Sequence, residues 1–222
     1  MFLPKLNIPK VEKAGIFLPL PEWKYAEKFF KLEKKTRFLN IQIRYSEKFL
    51  IAGPLIGAPV VPLLLKILKD TGVKEVFVLG WAGTFQPELL GEVFLPEKAL
   101  SKEGTSKFFS KKRVFAPDPE LFVKLTNCLK SKNIKFYQGK VLSTDVSLCF
   151  FPEKIKSLPD NVLAIDMETS AFFSVGKYLQ MKVVVLHFII DAVGSWLSVR
   201  PEDKLREKRE KVLLVMKELL SS

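Results

Sequence analysis

Apolar runs of four to eight residues alternate along this chain with longer stretches in which apolar positions recur every three or four, a pattern that predicts strands alternating with helices. Ala14–Leu18 reads as a short strand and Glu22–Leu32 as a helix. Phe38–Arg44 and Phe49–Ala52 form a hairpin turning near Ser46-Glu47, and Val60–Lys69 is a helix ended by Thr71-Gly72. Lys74–Leu79 is a buried strand opening into Gly80-Trp81-Ala82-Gly83 and a long loop, with short strands at Val93–Leu95 and Val114–Ala116. Pro117-Asp118-Pro119-Glu120 starts a helix that runs to Ser131, and Ile134–Ser143 is again a strand. Val162–Ile165 leads into a helix from Met167 to Tyr178. Lys182–Ile190 is the β-branched run of a central strand, which Asp191 closes. Leu205, Val212, Leu213, Val215, Met216, Leu219 and Leu220 mark one face of a C-terminal helix.

Two carboxylates stand out against this order. Ala164-Ile-Asp-Met-Glu-Thr-Ser-Ala171 puts Glu168 where a strand gives way to a helix, and Ile189-Ile190-Asp191 ends the central strand in an acid. Open α/β sheets bind ligands beyond the carboxyl ends of their strands, so both acids are placed for chemistry at one end of the sheet. A pair of acids in such a place suits the cleavage of a glycosidic bond.

Composition narrows the classes. With 48% hydrophobic residues and 19 Phe, the chain has the material for a large aromatic core. No Ser/Gly-rich or charge-block linker divides it, so one domain over residues 1–222 is expected. The formal charge of +12 permits phosphate or nucleic-acid partners, but the cations lie on helix faces such as Glu27–Lys35 and Lys204–Lys211. They do not interleave with aromatics as a stacking platform requires, which argues against nucleic acid. Cys128 and Cys149 make no disulfide framework, and a reducing cytoplasm is expected. Pro4 and Pro9 break any signal-peptide core, and Gly53, Pro54, Gly57, Pro59 and Pro62 interrupt the uncharged run Phe49–Leu65, so no membrane partner is expected. No metal cluster, P-loop or other cofactor motif is present. The only histidine, His187, lies inside an apolar strand and reads as a satisfied core group.

Several motifs then occur in order. Gly53-Pro-Leu-Ile-Gly57-Ala-Pro59 looks like the Gly-Ile-Gly-Gly-Pro turn of the nucleoside phosphorylase and nucleosidase superfamily. Gly80-Trp-Ala-Gly83-Thr-Phe-Gln86-Pro87 resembles that family's second glycine loop, and Glu103-Gly104-Thr105-Ser106 a further loop. Asp166-Met167-Glu168 resembles its Glu-Met-Glu helix start, and Ile190-Asp191 its Ser-Asp strand end. The resemblance spans roughly residues 14 to 220. It implies a single-domain α/β/α sandwich of three layers around a mixed, mostly parallel sheet, and a homo-oligomer, dimer or hexamer. It also implies a nucleoside as the small-molecule partner.

By the same resemblance Glu168 accepts the ribose hydroxyls and steadies the sugar cation, Met167 packs under the ring, and Asp191 protonates the base, with Gly83 beside it. That last role needs an environment that raises the pKa of Asp191. Glu168 as a helix cap and Asp191 as a turn residue is the plainer reading of the same spacing. Asp191 favours a purine, and Thr144-Asp145-Val-Ser-Leu-Cys-Phe150 lacks the Gln and Arg that the family's uridine-specific members carry for the uracil edge; Trp81 and Trp196 could stack on a base.

The phosphate pattern departs from the family. Its Gly-Asp-Pro-x-x-Arg loop is Leu20-Pro21-Glu22-Trp23-Lys24 here, its usual arginine is Val78, and a phosphate-binding Ser or Thr is Trp81. Gly57, Lys24, Trp81 and Arg44, the last resembling an arginine lent by a neighbouring subunit, are what remain of a phosphate site. Lysine lacks the guanidinium fork, so the site is weakened. If water attacks instead, the resemblance makes Glu22 the candidate to activate it, against a plainer role as an exposed acid in a helix's first turn. Phosphate or water stays open, as does a non-catalytic protein that kept the cleft.

Overall fold

The computed structural model describes residues 8–148, 151, 153, 161–193 and 202–222. In chain order it contains β1 (Lys13–Phe17), α1 (Leu20–Phe30), β2 (Lys34–Phe38), β3 (Ile41–Tyr45), β4 (Phe49–Gly53), α2 (Val61–Asp70), β5 (Glu75–Thr84) and β6 (Val93–Ser101). Then follow α3 (Thr105–Phe109), β7 (Val114–Phe115), α4 (Pro119–Ser131), β8 (Phe136–Ser143), β9 (Val162–Asp166), α5 (Thr169–Tyr178), β10 (Lys182–Ala192) and α6 (Glu202–Ser221). The strands form one mixed sheet in the order β10-β6-β8-β9-β5-β1-β4-β3-β2, and β10 also pairs with β5. The long ladders, β5 with β10 and β6 with β8, are parallel. The second pairing of β5 closes β5, β10, β6, β8 and β9 into a ring.

Period-two alternation in β10 shows how the layers form. Val183, Val185 and Ile189 face a core shared with α2 and α5, whereas Val184, Leu186, Phe188 and Ile190 face a core shared with α1, α4 and α6. Helices therefore cover both faces, and from Val183 to Ile190 the strand is apolar except for His187 because neither side meets water there. Among the described residues, no helix is long and apolar enough to cross a membrane.

Three elements differ from expectation. Lys34–Phe38 is a strand, β2, although its residues are mostly charged; it lies at the sheet edge where exposed side chains suit water. Phe38 belongs to it and not to the following hairpin. Gly80–Gly83 is no loop: β5 continues through it to Thr84. Gly80 is there for space, since a Cβ at this position would lie 2.8 Å from His187 Nδ1 on the neighbouring strand. β6 runs past the expected Leu95 to Ser101. Glu103, in the bend before α3 and fully buried, accepts the Ser106 amide and the hydroxyls of Ser101 and Ser170, and so ties α3 to the first turn of α5.

Candidate active site

The carboxyl ends of β1, β5, β9 and β10 and the start of α5 surround a cavity of about 420 Å³. Glu168 and Asp191 both line it, with Met167, Gly83 and Trp81. The two acids that the sequence places at one end of the sheet thus share one space. A third acid, Asp166, lines it too, and apart from Ser147 the remaining wall is apolar, with Leu18, Leu20, Leu55, Ile56 and Leu148 in it. Leu20 and Ile56 are among the exposed apolar residues and form part of its rim.

Glu168 stands at the start of α5 but makes no capping bond. Capping falls to Asp166, whose Oδ2 accepts the Thr169 amide at 2.8 Å. Asp166 also takes hydrogen bonds from the hydroxyls of Thr169 and Ser143, both at 2.5 Å. These donors and the neighbouring His187 hold its pKa low despite complete burial. His187 Nε2 lies 2.8 Å from Thr169 Oγ1 and 3.4 Å from Asp166 Oδ2, while Nδ1 has no hydrogen-bond partner among the described residues. The expectation of a satisfied core histidine therefore holds for one ring nitrogen only. The ring backs the acid that caps α5, a role that sequence spacing did not reveal.

With Asp166 ionised two residues away, Glu168 cannot easily ionise. Burial first, and then the charge of Asp166, push its carboxyl up to about 8, while the amides of Gly57 and Met167 pull the other way. The Gly57 amide donates to Glu168 Oε1 at 2.6 Å. Gly57 has φ of 92°, so the turn that aims this amide suits glycine. Asp191 is half-buried and pairs in register with Gly83 across the β5–β10 ladder, just after an irregularity between Ile189 and Asp191. Such a bulge re-aims a side chain at a strand end.

The expected nucleophile site is arranged differently. Glu22 is neither exposed in its helix turn nor open to the cavity: it is fully buried and is absent from the lining. Its carboxylate accepts the Trp81 indole N–H at 3.1 Å and three contacts of 3.0 to 3.1 Å from Arg209 of α6. Lys24 is exposed on α1, away from the lining. Arg44 bonds Glu27 of the same chain, with Nε at 2.7 Å from Oε1 and a second, shorter contact from its terminal nitrogen. The Gly57 amide is spent on Glu168. Among the described residues no Lys or Arg lines the cavity, and no cluster of His, Cys, Asp or Glu could hold a metal. Trp196, Cys149 and Phe150 lie outside the described residues.

The topology thus gathers acids from a helix start and a strand end in one cavity at the sheet's carboxyl edge, where open α/β sheets bind ligands. Residues 13–221 match the family model described as the phosphorylase superfamily, and the chain belongs to that family. Similar solved structures include a putative methylthioadenosine nucleosidase from Weissella paramesenteroides, at 17% identity and TM-score 0.75, covering 94% of this chain and 98% of that one. Another is a purine nucleoside phosphorylase from Toxoplasma gondii in complex with immucillin-H, at 16% identity and TM-score 0.78, covering 100% and 97%. A third is an AMP nucleosidase from Bacteroides thetaiotaomicron, at 18% identity and TM-score 0.73, covering 92% and 85%.

Proposed function

We propose that this chain cleaves the N-glycosidic bond of a purine-type nucleoside, with water as the attacking group. The observation that carries the reading is the sharing of one cavity by Glu168 and Asp191 beside a wall free of Lys and Arg among the described residues. As the bond breaks, positive charge grows on the sugar and negative charge on the base. Glu168, bound to the ribose hydroxyls, faces the first, and Asp191 gives its proton to a purine ring nitrogen. Met167 packs under the sugar, and Gly83, in register with Asp191, leaves room for the base. Water then adds to the anomeric carbon, and the proton it loses returns to a carboxylate of the site. Phosphate fits this cavity poorly: it would give up hydration to meet leucines and isoleucine while facing three acids.

Chromatography of inosine, adenosine, methylthioadenosine and uridine incubated with the protein, with and without phosphate, tests this. The expected result is free ribose or its derivative and free purine, at a rate that phosphate leaves unchanged. A phosphorylated sugar product would overturn water as the nucleophile. The pairing of Glu22 with Arg209 favours a second reading, a nucleoside-binding protein without turnover, because the acid implied for water activation is occupied. Nucleoside binding with no base release would establish that reading in place of the first.

A further inference from the structure

The Glu22–Arg209 pair joins the last helix of the chain to the wall of the cavity. Glu22 is 0% exposed and Arg209 3%. The guanidinium gives Nε to both carboxylate oxygens and a terminal nitrogen to Oε1, at 3.0 to 3.1 Å. It also lies 4.4 Å from the centre of the Tyr25 ring and 6.0 Å from that of Phe188. Oε1 in turn accepts the Trp81 indole N–H. Three elements far apart in sequence, α1, β5 and α6, thus converge on one carboxylate, and the side chain at the end of the series lines the cavity.

A buried ion pair is a poor way to gain stability, since desolvating both charges offsets most of their attraction and apolar residues of similar volume do as well. What this pair provides and an apolar pair could not is a fixed acceptor for the indole N–H. A tryptophan ring without that bond could pivot in its slot. We propose that Arg209 is a positioning residue for the site: acting through Glu22, it fixes the plane of the Trp81 indole and so sets the width of the cavity offered to the nucleoside. The ligand arm of the test below rests on the function proposed above, whereas the spectroscopic arm does not.

The Trp81 contribution to fluorescence is taken as the difference between the native chain and Trp81→Phe, and its quenching by acrylamide is then compared in Arg209→Lys. Lysine keeps the charge but loses the fork. Quenching of Trp81 should rise at least about twofold, and KM for the nucleoside cleaved fastest should rise about tenfold with kcat within about threefold, the signature of lost ground-state fit. In the Trp81→Phe background, Arg209→Lys should change KM by less than about twofold, because the two residues act in series.

Glu22→Leu/Arg209→Met separates positioning from stability. It should fold as well as the native chain, yet show the same loosened indole and raised KM. Unchanged quenching in Arg209→Lys, KM effects that multiply independently of Trp81, or a double variant with native quenching and KM would each overturn the proposal. If Arg209→Lys does not fold, the double variant decides alone. If the native chain neither binds nor cleaves a nucleoside, the function proposed above fails, and the quenching comparison still decides the role of Arg209.

Discussion

Glu22 and Glu168 are both buried glutamates at the start of a helix, yet their surroundings differ in one respect. Glu22 has a guanidinium at three short contacts and an indole N–H besides. Glu168 has two backbone amides and, two residues away, another acid. The first is charge-balanced with its lone pairs filled, so it has nothing to offer a substrate. The second is unbalanced and faces a cavity, so a ligand can relieve what the fold leaves unpaid. Burial alone does not separate the two, since Glu103 is as buried and its oxygens are filled by serine hydroxyls and an amide; what sets Glu168 apart is a neighbouring acid together with a place on the cavity wall.

The comparison breaks most visibly if the two acids are exchanged in importance. Glu168→Ala should lower kcat/KM for base release by at least about a thousandfold, roughly 4 kcal/mol of transition-state stabilisation, while leaving the fold intact. Retained activity would remove Glu168 from the mechanism. Glu22→Ala should act on the fold instead: it strands Arg209 in the interior and should cost about 3–5 kcal/mol in urea unfolding. A cost within about 0.5 kcal/mol, the range of ordinary surface changes, would mean that the pair is not buried as described.

Stability and pH sharpen the contrast. The Glu168 carboxyl has a folded pKa of about 8, above the ordinary 4.5, so its favourable contribution is complete below 4.5 and is lost as pH rises through 8. Glu168→Gln removes that loss. The variant should be more stable than the native chain at pH 8 by about 4 kcal/mol, with the difference vanishing near pH 4; a Tm series over this range reads it. On the kinetic side, a carboxylate is what steadies a sugar cation. kcat/KM should therefore climb up to about tenfold per unit as pH approaches 8 from below. A flat profile between pH 6 and 8 would place ribose stabilisation elsewhere.

What the sequence could reveal follows from the range over which each feature is encoded. Glu168 and Asp191 were legible because each sits at a local boundary, a helix start and a strand end, and the carboxyl edge of a sheet gathers such boundaries. Asp166 was visible in the same motif, but its capping role was not, since a backbone amide can be bonded by either neighbour. The Glu22–Arg209 pair was beyond reach: nothing local links residues 187 positions apart, and an acid in a helix's first turn ordinarily faces water. Gly80 misled because glycine signals a turn far more often than a ring lying across a strand. β2 was passed over because Lys34, Lys35 and Arg37 carry no alternating apolar pattern.

That last strand has its own consequence. The ring of β5, β10, β6, β8 and β9 has bonded neighbours on both sides of every member, and the main path of the sheet runs out at β2. There Lys34, Lys35 and Arg37 are exposed. A second copy seeking to prolong the sheet would have to bring like charges together along that margin, which blunts edge-to-edge growth into fibrils.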